Sequence, residues 1–489
     1  MGDNMKKQGL TIGKYTLESL TNGMYSTPLD LYREYIQNAV DSIDEAISVF
    51  SGKADSYYID IVVDSKERTI SITDNGTGIE QSSAVRSLVD IGNSQKDRMC
   101  SRGFRGIGRL AGLGYCEKLV FSTSFKGEPF STIVSYDAKK LSELLLNRSN
   151  KTESVNDVLR QVISVKQGPE KSRSHFFKVE LIGVANSDKL LDLEVVTDYL
   201  LQHAPLKYRK EFKWQRVITE KIKSLGYIIP SYNVRLNGQE LYKPYMDTFT
   251  SDRVKRSQDN IKDIEVVPFY NDGNLSAVLW CAKSNYYGTI LDSQIKGIRI
   301  RQGNIMIGDK MSCSQLFKEE RFNGWLVGEI HVMDENLIAN ARRDDFEKNE
   351  AYYVLADSVK MWSSKQSREI RKISYERSLP TEKKTIVEAD EFSEVNNLLD
   401  ESYEFMDDLG ESDMIDISES TNVAQADYIG KLSALINQKR NQTKYAALNI
   451  NEKLTMDQRR VLERVFDLIV EKYDKAQAER FINTIVANF

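Results

Sequence analysis

Between Leu31 and Ser42 the chain reads L-Y-R-E-Y-I-Q-N-A-V-D-S, and no other stretch limits its folding choices as tightly. On a helix, Glu34, Asn38 and Asp41 stand at i, i+4 and i+7, so one stripe carries a carboxylate, an amide and a second carboxylate. Leu31, Tyr35, Ala39, Val40, Ile43, Ala46, Ile47 and Phe50 make the other faces apolar. Such a helix belongs inside a domain, with its polar stripe turned toward water or toward a ligand. Taken alone, the stripe is read more economically as a solvated face than as a metal or nucleotide site. Two later stretches reverse that reading.

A chain of 489 residues is too long for one ordinary core, so two or three domains are expected. Its apolar content of 40% and charged content of 28% are those of a soluble globular protein. A net charge of -5 supplies no global pull toward nucleic acid or an anionic membrane. The first residues lack the apolar core of a signal peptide, and no run approaches the roughly 20 apolar residues of a membrane span, so the cytoplasm is the expected location. Cys100, Cys116, Cys281 and Cys313 never form C-x-x-C and are expected to be buried free thiols. With His175, His203 and His331 alone, a His-rich metal site or a Ser-His-Asp hydrolase has little to work with. Nor does a G-x-x-x-x-G-K-[ST] loop occur.

Tyr57 to Val63 and Thr69 to Thr73 are β-branched runs joined by D-S-K-E-R, which predicts a hairpin. Its second strand leads into Asp74-Asn75-Gly76-Thr77-Gly78, where an acid at a strand end can face a pocket and glycines let backbone approach a ligand. A helix from about Glu80 to Asp90 precedes I-G-N-S-Q-K and then S-R-G-F-R-G-I-G-R-L-A-G. The run G-I-G-R-L-A matches a dinucleotide fingerprint formally, but no strand precedes it. A glycine-rich lid opening a helix, with free N–H groups for phosphates, is the simpler reading.

Together these three stretches resemble the boxes of the GHKL (Bergerat-fold) ATPases, the superfamily of gyrase, the ninety-kilodalton heat-shock chaperones, histidine kinases and MutL. E-Y-I-Q-N-A-V-D looks like the first box, D-N-G-T-G the second and G-F-R-G-I-G-R-L-A-G-L-G the third, with G-F-R-G being MutL-like. The resemblance covers roughly residues 10 to 185 and implies ATP and Mg²⁺ as ligands. In that frame Glu34 orients or deprotonates the attacking water, and Asn38 offers its amide oxygen to Mg²⁺. Asp41 belongs to the same ATP-binding stripe, and Asp74 accepts from the adenine amine beside Gly76 and Gly78. Asn93, Lys96 and the backbone of Gly103, Phe104, Arg105, Gly106, Ile107 and Gly108 hold the phosphates. The fourth box is usually Gly-Thr opening a strand. Here Ser174-His175 stands before the strand Phe176 to Leu181, so Ser174 or a water replaces the threonine hydroxyl.

From about 185 to 230 the sequence turns helical, and Leu206 to Ser224 interleaves basic and aromatic residues, as a solvated amphipathic helix or, less economically, a nucleic-acid surface would. Strands are expected at Tyr232 to Asn237, Ile264 to Phe269, Leu275 to Ala282, Gly297 to Arg301 and Trp325 to Met333. This α+β region resembles the transducer-type middle domain of chaperones and MutL. Within it, L-I-A-N-A-R-R-D-D-F from Leu337 to Phe346 looks like the chaperone loop whose arginine reaches the γ-phosphate. On that match Arg343 is the sensor, with Arg342, Lys296 and Arg299 as runners-up; the plainer reading is a salt-bridged helix start. After a helix to about Ser378 comes an acid-rich, aromatic-poor stretch, then helical patterns at Tyr428 to Gln438 and Met456 to Tyr473.

The expected fold is therefore α+β: a Bergerat-type ATP-binding α/β sandwich over 1-200, a transducer-like middle domain over 201-378, an acidic linker over 379-422 and a helical segment over 423-489. The resemblance implies a slow ATPase that acts as a conformational switch, dimerises through its N-terminal domains when nucleotide binds, and works on a client or partner protein. Some stand-alone prokaryotic proteins of this kind sit in defence or restriction settings. An ATP-gated DNA clamp like MutL or the MORC proteins is the alternative, which the G-F-R-G box and the basic segment favour and the acidic balance opposes. A histidine kinase is the least expected, because the boxes begin at residue 34.

Overall fold

The computed structural model describes residues 27–90, 108–146, 154–252 and 254–378. The chain divides into two compact units, Met1–Ser374 and Tyr375–Phe489, and the elements below belong to the first apart from the last turn of its final helix. The expected N-terminal arm, the lid from Ile91 to Ile107, Cys100, the acidic linker and the helical tail lie outside the described residues.

The striped helix forms as α1, Asp30–Phe50. Leu31, Tyr32, Tyr35, Ile36, Ala39, Val40 and Ile43 are each 2% exposed or less. Burying one large apolar side chain is worth roughly 1.5–3 kcal/mol, several times the differences in helix propensity among such residues, so packing decides this helix. The hairpin also forms as expected, β1 (Tyr58–Asp64) pairing antiparallel with β2 (Thr69–Asp74), Ile59 opposite Asp74. There follow α2 (Gln81–Val89), β3 (Cys116–Ser124), β4 (Phe130–Asp137), α3 (Ala138–Leu146), α4 (Val155–Val162), β5 (Ile163–Pro169), β6 (Phe176–Val184) and α5 (Leu193–His203).

The first sheet has eight strands, and the outermost two come from an unexpected place. After β7 (Lys207–Tyr208) and α6 (Gln215–Ser224), the strands β8 (Asn233–Leu236) and β9 (Gln239–Glu240) return to it, giving the order β5-β4-β3-β6-β2-β1-β8-β9. β8 runs parallel to β1, Ile59 opposite Val234, while the other pairs are antiparallel. The segment Tyr232 to Asn237, expected in the middle domain, thus belongs to the first sheet because Val234 and Leu236 share the core of α1. The amphipathic helix expected over Leu206 to Ser224 is shorter, α6 only, since Lys207–Tyr208 is drawn into pairing with β10 (Tyr242–Lys243).

A hairpin of β11 (Thr248–Ser251) and β12 (Ser257–Asn260) leads to a second, five-stranded sheet. Its strands are β13 (Asp263–Asn271), β14 (Asn274–Lys283), β15 (Gly297–Gln302), β16 (Ile305–Ile307) and β17 (Val327–Val332), in the order β13-β14-β17-β15-β16. Successive residues of β14 face opposite sides. Ala277, Leu279 and Cys281 pack with the long helix α7 (Glu350–Ser378), and Val278, Trp280 and Ala282 pack with Ile218 and Ile222 of α6. The expected α+β character is thus present in both regions. Cys116, Cys281 and Cys313 are free and buried. Among the described residues no helix is long and apolar enough to cross a membrane.

Glu329 on β17 is fully buried, and charged and polar groups converge on it. Its Oε2 accepts from Lys243 Nζ at 2.5 Å, Tyr208 hydroxyl at 3.1 Å, His331 Nε2 at 3.1 Å and Trp280 Nε1 at 3.3 Å. Its Oε1 accepts from Arg301 Nε and, at 3.0 Å, from Tyr245 hydroxyl. Removing one member of such a buried cluster leaves an uncompensated charge and costs about 3–5 kcal/mol.

Burial lowers the His331 imidazole from 6.5 to about 4 despite the facing carboxylate, with Lys243 and Arg301 adding to the effect. Between those values the unfolded chain takes up a proton that the folded chain refuses. This contribution is nil above pH 6.5 and destabilises as pH falls through the window, by roughly 3 kcal/mol at its foot. Urea unfolding at about pH 7 and about pH 4.5 should show that loss, and His331→Gln should show a smaller loss over the same interval.

Candidate functional site

Asp74 ends β2 almost wholly buried, and its Oδ1 accepts from the Gly76 amide at 2.9 Å. The turn that follows is stitched to α1. The Thr77 amide donates to the Ser42 carbonyl at 3.2 Å, and a Cβ on Gly76 would stand 2.1 Å from Ser42 Oγ. Gly78 has φ +68°, and a Cβ there would meet the Ser124 carbonyl oxygen at 2.0 Å. Both glycines of D-N-G-T-G are therefore required by close approach of neighbouring atoms, which sets the turn after Asp74 against α1 and β3.

Glu34, Asn38 and Asp41 are half-buried on that stripe. The glycine-rich segment enters against it. A Cβ on Gly108 would lie 2.3 Å from Glu34 Oε2. Gly108 opens a 3₁₀ turn, Gly108–Gly114, rather than the α-helix expected after the lid. Tyr35 pins that turn, its hydroxyl donating to the Arg109 carbonyl at 3.1 Å and accepting from the Gly112 amide at 2.9 Å. Asn93, Lys96, Gly103, Phe104, Arg105, Gly106 and Ile107 lie outside the described residues.

In the fourth stretch Ser174 donates its hydroxyl to Glu170 at 3.1 Å. His175 binds the Gly76 carbonyl through Nδ1 at 2.7 Å and packs against Phe50, which gives it a part in holding the turn. The buried hydroxyl near the turn is Thr123 on β3, accepting from the Ile79 amide at 2.8 Å and donating to the Phe176 carbonyl at 3.0 Å. Through Phe177 it shares a cross-strand row with Asp74, a register that the short polar run S-T-S does not announce.

The second sheet brings a cation to the same place. Arg343 Nε lies 3.9 Å from Glu34 Oε1, an oxygen buried without a hydrogen bond. Arg343 sits at φ +55° in a loop rather than at a helix start, its amide donating to Asn340 and its carbonyl accepting from Gly308 at 2.9 Å. A left-handed arginine costs about 1–2 kcal/mol, which its fixed neighbours offset. Of the runners-up, Arg342 is exposed, and Lys296 lies along Gly324. Arg299 is buried and donates to Gln202 Oε1 at 2.7 Å and to nearby carbonyls.

An acid-amide stripe, a glycine turn that follows a buried strand-end aspartate and is bonded to the same helix at Ser42, and a glycine-rich segment that meets Glu34 all touch α1, and this is the candidate cleft. Residues 33–164 match the family model described as histidine kinase-, DNA gyrase B- and HSP90-like ATPase. The chain carries a GHKL ATPase domain. Three curated relatives are chaperone proteins HtpG. That of Alkaliphilus metalliredigens is 22% identical over 73% of this chain and 57% of its own length. That of Oceanobacillus iheyensis is 20% identical over 70% and 55%, and that of Baumannia cicadellinicola 22% over 38% and 32%. The chain spans about half the length, or less, of the curated relatives it matches.

Two glycine substitutions separate scaffold from chemistry. Gly78→Ala meets backbone at a positive φ, and its thermal unfolding should show a loss of about 1–3 kcal/mol. Gly108→Ala meets only the mobile end of Glu34, so the GHKL domain should melt within about 1 kcal/mol of the parent while the Glu34 carboxylate is displaced. A severe loss of stability in Gly108→Ala would mean that the Glu34 side chain is fixed by more than this contact.

Proposed function

We propose that the chain binds ATP in this cleft, hydrolyses it slowly, and uses the nucleotide state to reshape the contact between its two sheets. The observation that carries the reading is Arg343 at 3.9 Å from Glu34, a guanidinium from the second sheet beside the candidate base on α1. Asp74 would accept from the adenine amine. Asn38, on the same stripe as Glu34, would give one oxygen to a Mg²⁺, whose charge assists phosphoryl transfer. Glu34 would take or orient the proton of the attacking water, and Arg343 would face the terminal phosphate only when one is present. Closure on that phosphate converts a bound nucleotide into a domain arrangement.

Kinship with HtpG chaperones favours a client or partner protein as the target and a nucleotide-dependent homodimer as the working form. The DNA-clamp alternative draws on the basic segment, much of which is paired. Lys207, Lys213, Arg216 and Lys221 of the basic segment are paired with Asp55, Asp247, Glu220 and Asp263. These four pairs reduce what the segment offers to phosphates.

Phosphate release and nucleotide titration test the proposal. Asp74→Asn should lose ATP binding, because an amide can present a donor to the adenine amine. Glu34→Ala should keep ATP binding and lose roughly 10²–10⁴-fold in turnover. Arg343→Ala should lose about 10–10³-fold with ADP affinity unchanged, since ADP lacks the group being sensed. Equal binding in Asp74→Asn, or equal turnover in Glu34→Ala, overturns the assignment. Native mass with a non-hydrolysable ATP analogue should double relative to the nucleotide-free protein.

A further inference from the structure

The loop that carries Arg343 is tied to α1 through polar contacts that begin on α5, outside the cleft. Tyr199 is 8% exposed, and its hydroxyl donates to Asp30 Oδ1 at 2.9 Å. Asp30 opens α1, 4% exposed, and the same oxygen lies 3.3 Å from Arg33 Nη1. Its other oxygen accepts from the Thr27 amide at 3.3 Å. Arg33 then donates through Nη2 to the Arg342 carbonyl at 2.8 Å, and the next residue is Arg343. The Tyr199 ring stacks on His203 at 3.9 Å. Beside it Gln202 accepts from Arg299 through Oε1 and from Arg301 through its carbonyl at 2.9 Å.

Among the described residues the Arg33 guanidinium has in reach Asp30, the Arg342 carbonyl and, 3.9 Å from its Nε, Glu34 Oε1. Helix geometry puts Asp30 and Glu34 on either side of it, at i−3 and i+1. Which way Arg33 leans is set by how firmly Asp30 is held, and Tyr199 is the side chain that holds it. Burial keeps the Tyr199 phenol well above its usual range, so it remains a donor at every working pH.

We infer that Tyr199 and Asp30 are positioning residues for ATP hydrolysis: they aim Arg33 at the Arg342 carbonyl, and so fix the 340–345 loop where Arg343 meets Glu34. The inference rests on the roles proposed for Glu34 and Arg343. None of the contacts in this relay involves Asp74 or the glycine turn. A fault in it therefore affects the rate and leaves nucleotide affinity alone. Loss of the Tyr199 hydroxyl also frees Arg33 to move onto Glu34, where a second guanidinium opposes the proton transfer asked of that carboxylate.

The test uses the full chain with Tyr199→Phe, which keeps the ring and its stack, and Asp30→Asn as a second variant. Each should bind ADP and ATP within about twofold of the parent and lose about tenfold in turnover. Added to Arg343→Ala, neither should cost more than about twofold further, because all three act on one step. Hydrogen exchange of the nucleotide-free protein should speed up at residues 340–345 and stay unchanged in β14 and β17. Unchanged exchange at 340–345 in both variants overturns the relay, as does a turnover loss that multiplies fully with Arg343→Ala or is matched by weaker binding. A parent without ATP turnover overturns the ATPase reading instead, and the exchange measurement still decides whether Tyr199 and Asp30 hold the loop.

Discussion

One ion pair between side chains joins the two regions at the point where chemistry is proposed: the guanidinium of Arg343 against the carboxylate of Glu34. Two conditions make it available. α1 must bury its apolar faces so completely that only one stripe remains for polar work, and the 340–345 loop must hold an arginine in a left-handed conformation. Neither is secured locally. The bond from Arg33 to the Arg342 carbonyl spans 309 residues of sequence, and Gly308 takes the Arg343 carbonyl from the other side. The site exists because both sheets are built and set against each other first.

Precision in the second sheet has a different origin. Lys243, Trp280, Arg301 and His331 stand on β10, β14, β15 and β17, and all reach the one carboxylate of Glu329. Buried ions of this sort contribute little net stability compared with well-packed apolar residues. They do penalise error. A slip of one residue in any of those strands would turn its donor to the opposite face and strand the charge, so the cluster selects one register among several that the apolar residues alone would tolerate. Arg301 also takes the Gln202 carbonyl on α5, which carries that register to the first domain.

What was legible in the sequence follows the range of the interactions. The stripe of α1, the β1–β2 hairpin, the D-N-G-T-G turn and four of the five strands of the second sheet are written in local periodicity and turn chemistry, and they formed where expected, while the short β16 was not foreseen. The match of the 337–346 segment to a chaperone loop pointed to Arg343, which the structure sets beside Glu34, while Arg299 is engaged elsewhere. Ser174, singled out for opening a strand, donates its hydroxyl to Glu170, a contact that proximity in sequence alone does not reveal. Thr123, Tyr199 and Asp30 were passed over because each is one polar residue in an otherwise apolar or unremarkable run. Their importance comes from partners far off in sequence, 53 positions away for Thr123 and 169 for the Tyr199–Asp30 pair. The parallel placement of β8 on β1 was likewise invisible, since a four-residue strand reads the same in either sheet.

That strand exchange also bears on how such a protein can be divided or inherited. The outer edge of the first sheet is made by Asn233–Glu240, after the chain has already contributed β7 and α6 to other neighbours. Cutting before residue 233 would bare the β1 edge from Tyr58 to Ile61 and take Val234 and Leu236 out of the core, leaving an adhesive strand on an incomplete sheet. The two halves are therefore laced rather than merely linked. Recombination that swaps one for a foreign counterpart must carry the lace with it, and the lineage of this architecture is expected to vary by whole transplants or by point changes, not by trading its halves at residue 200.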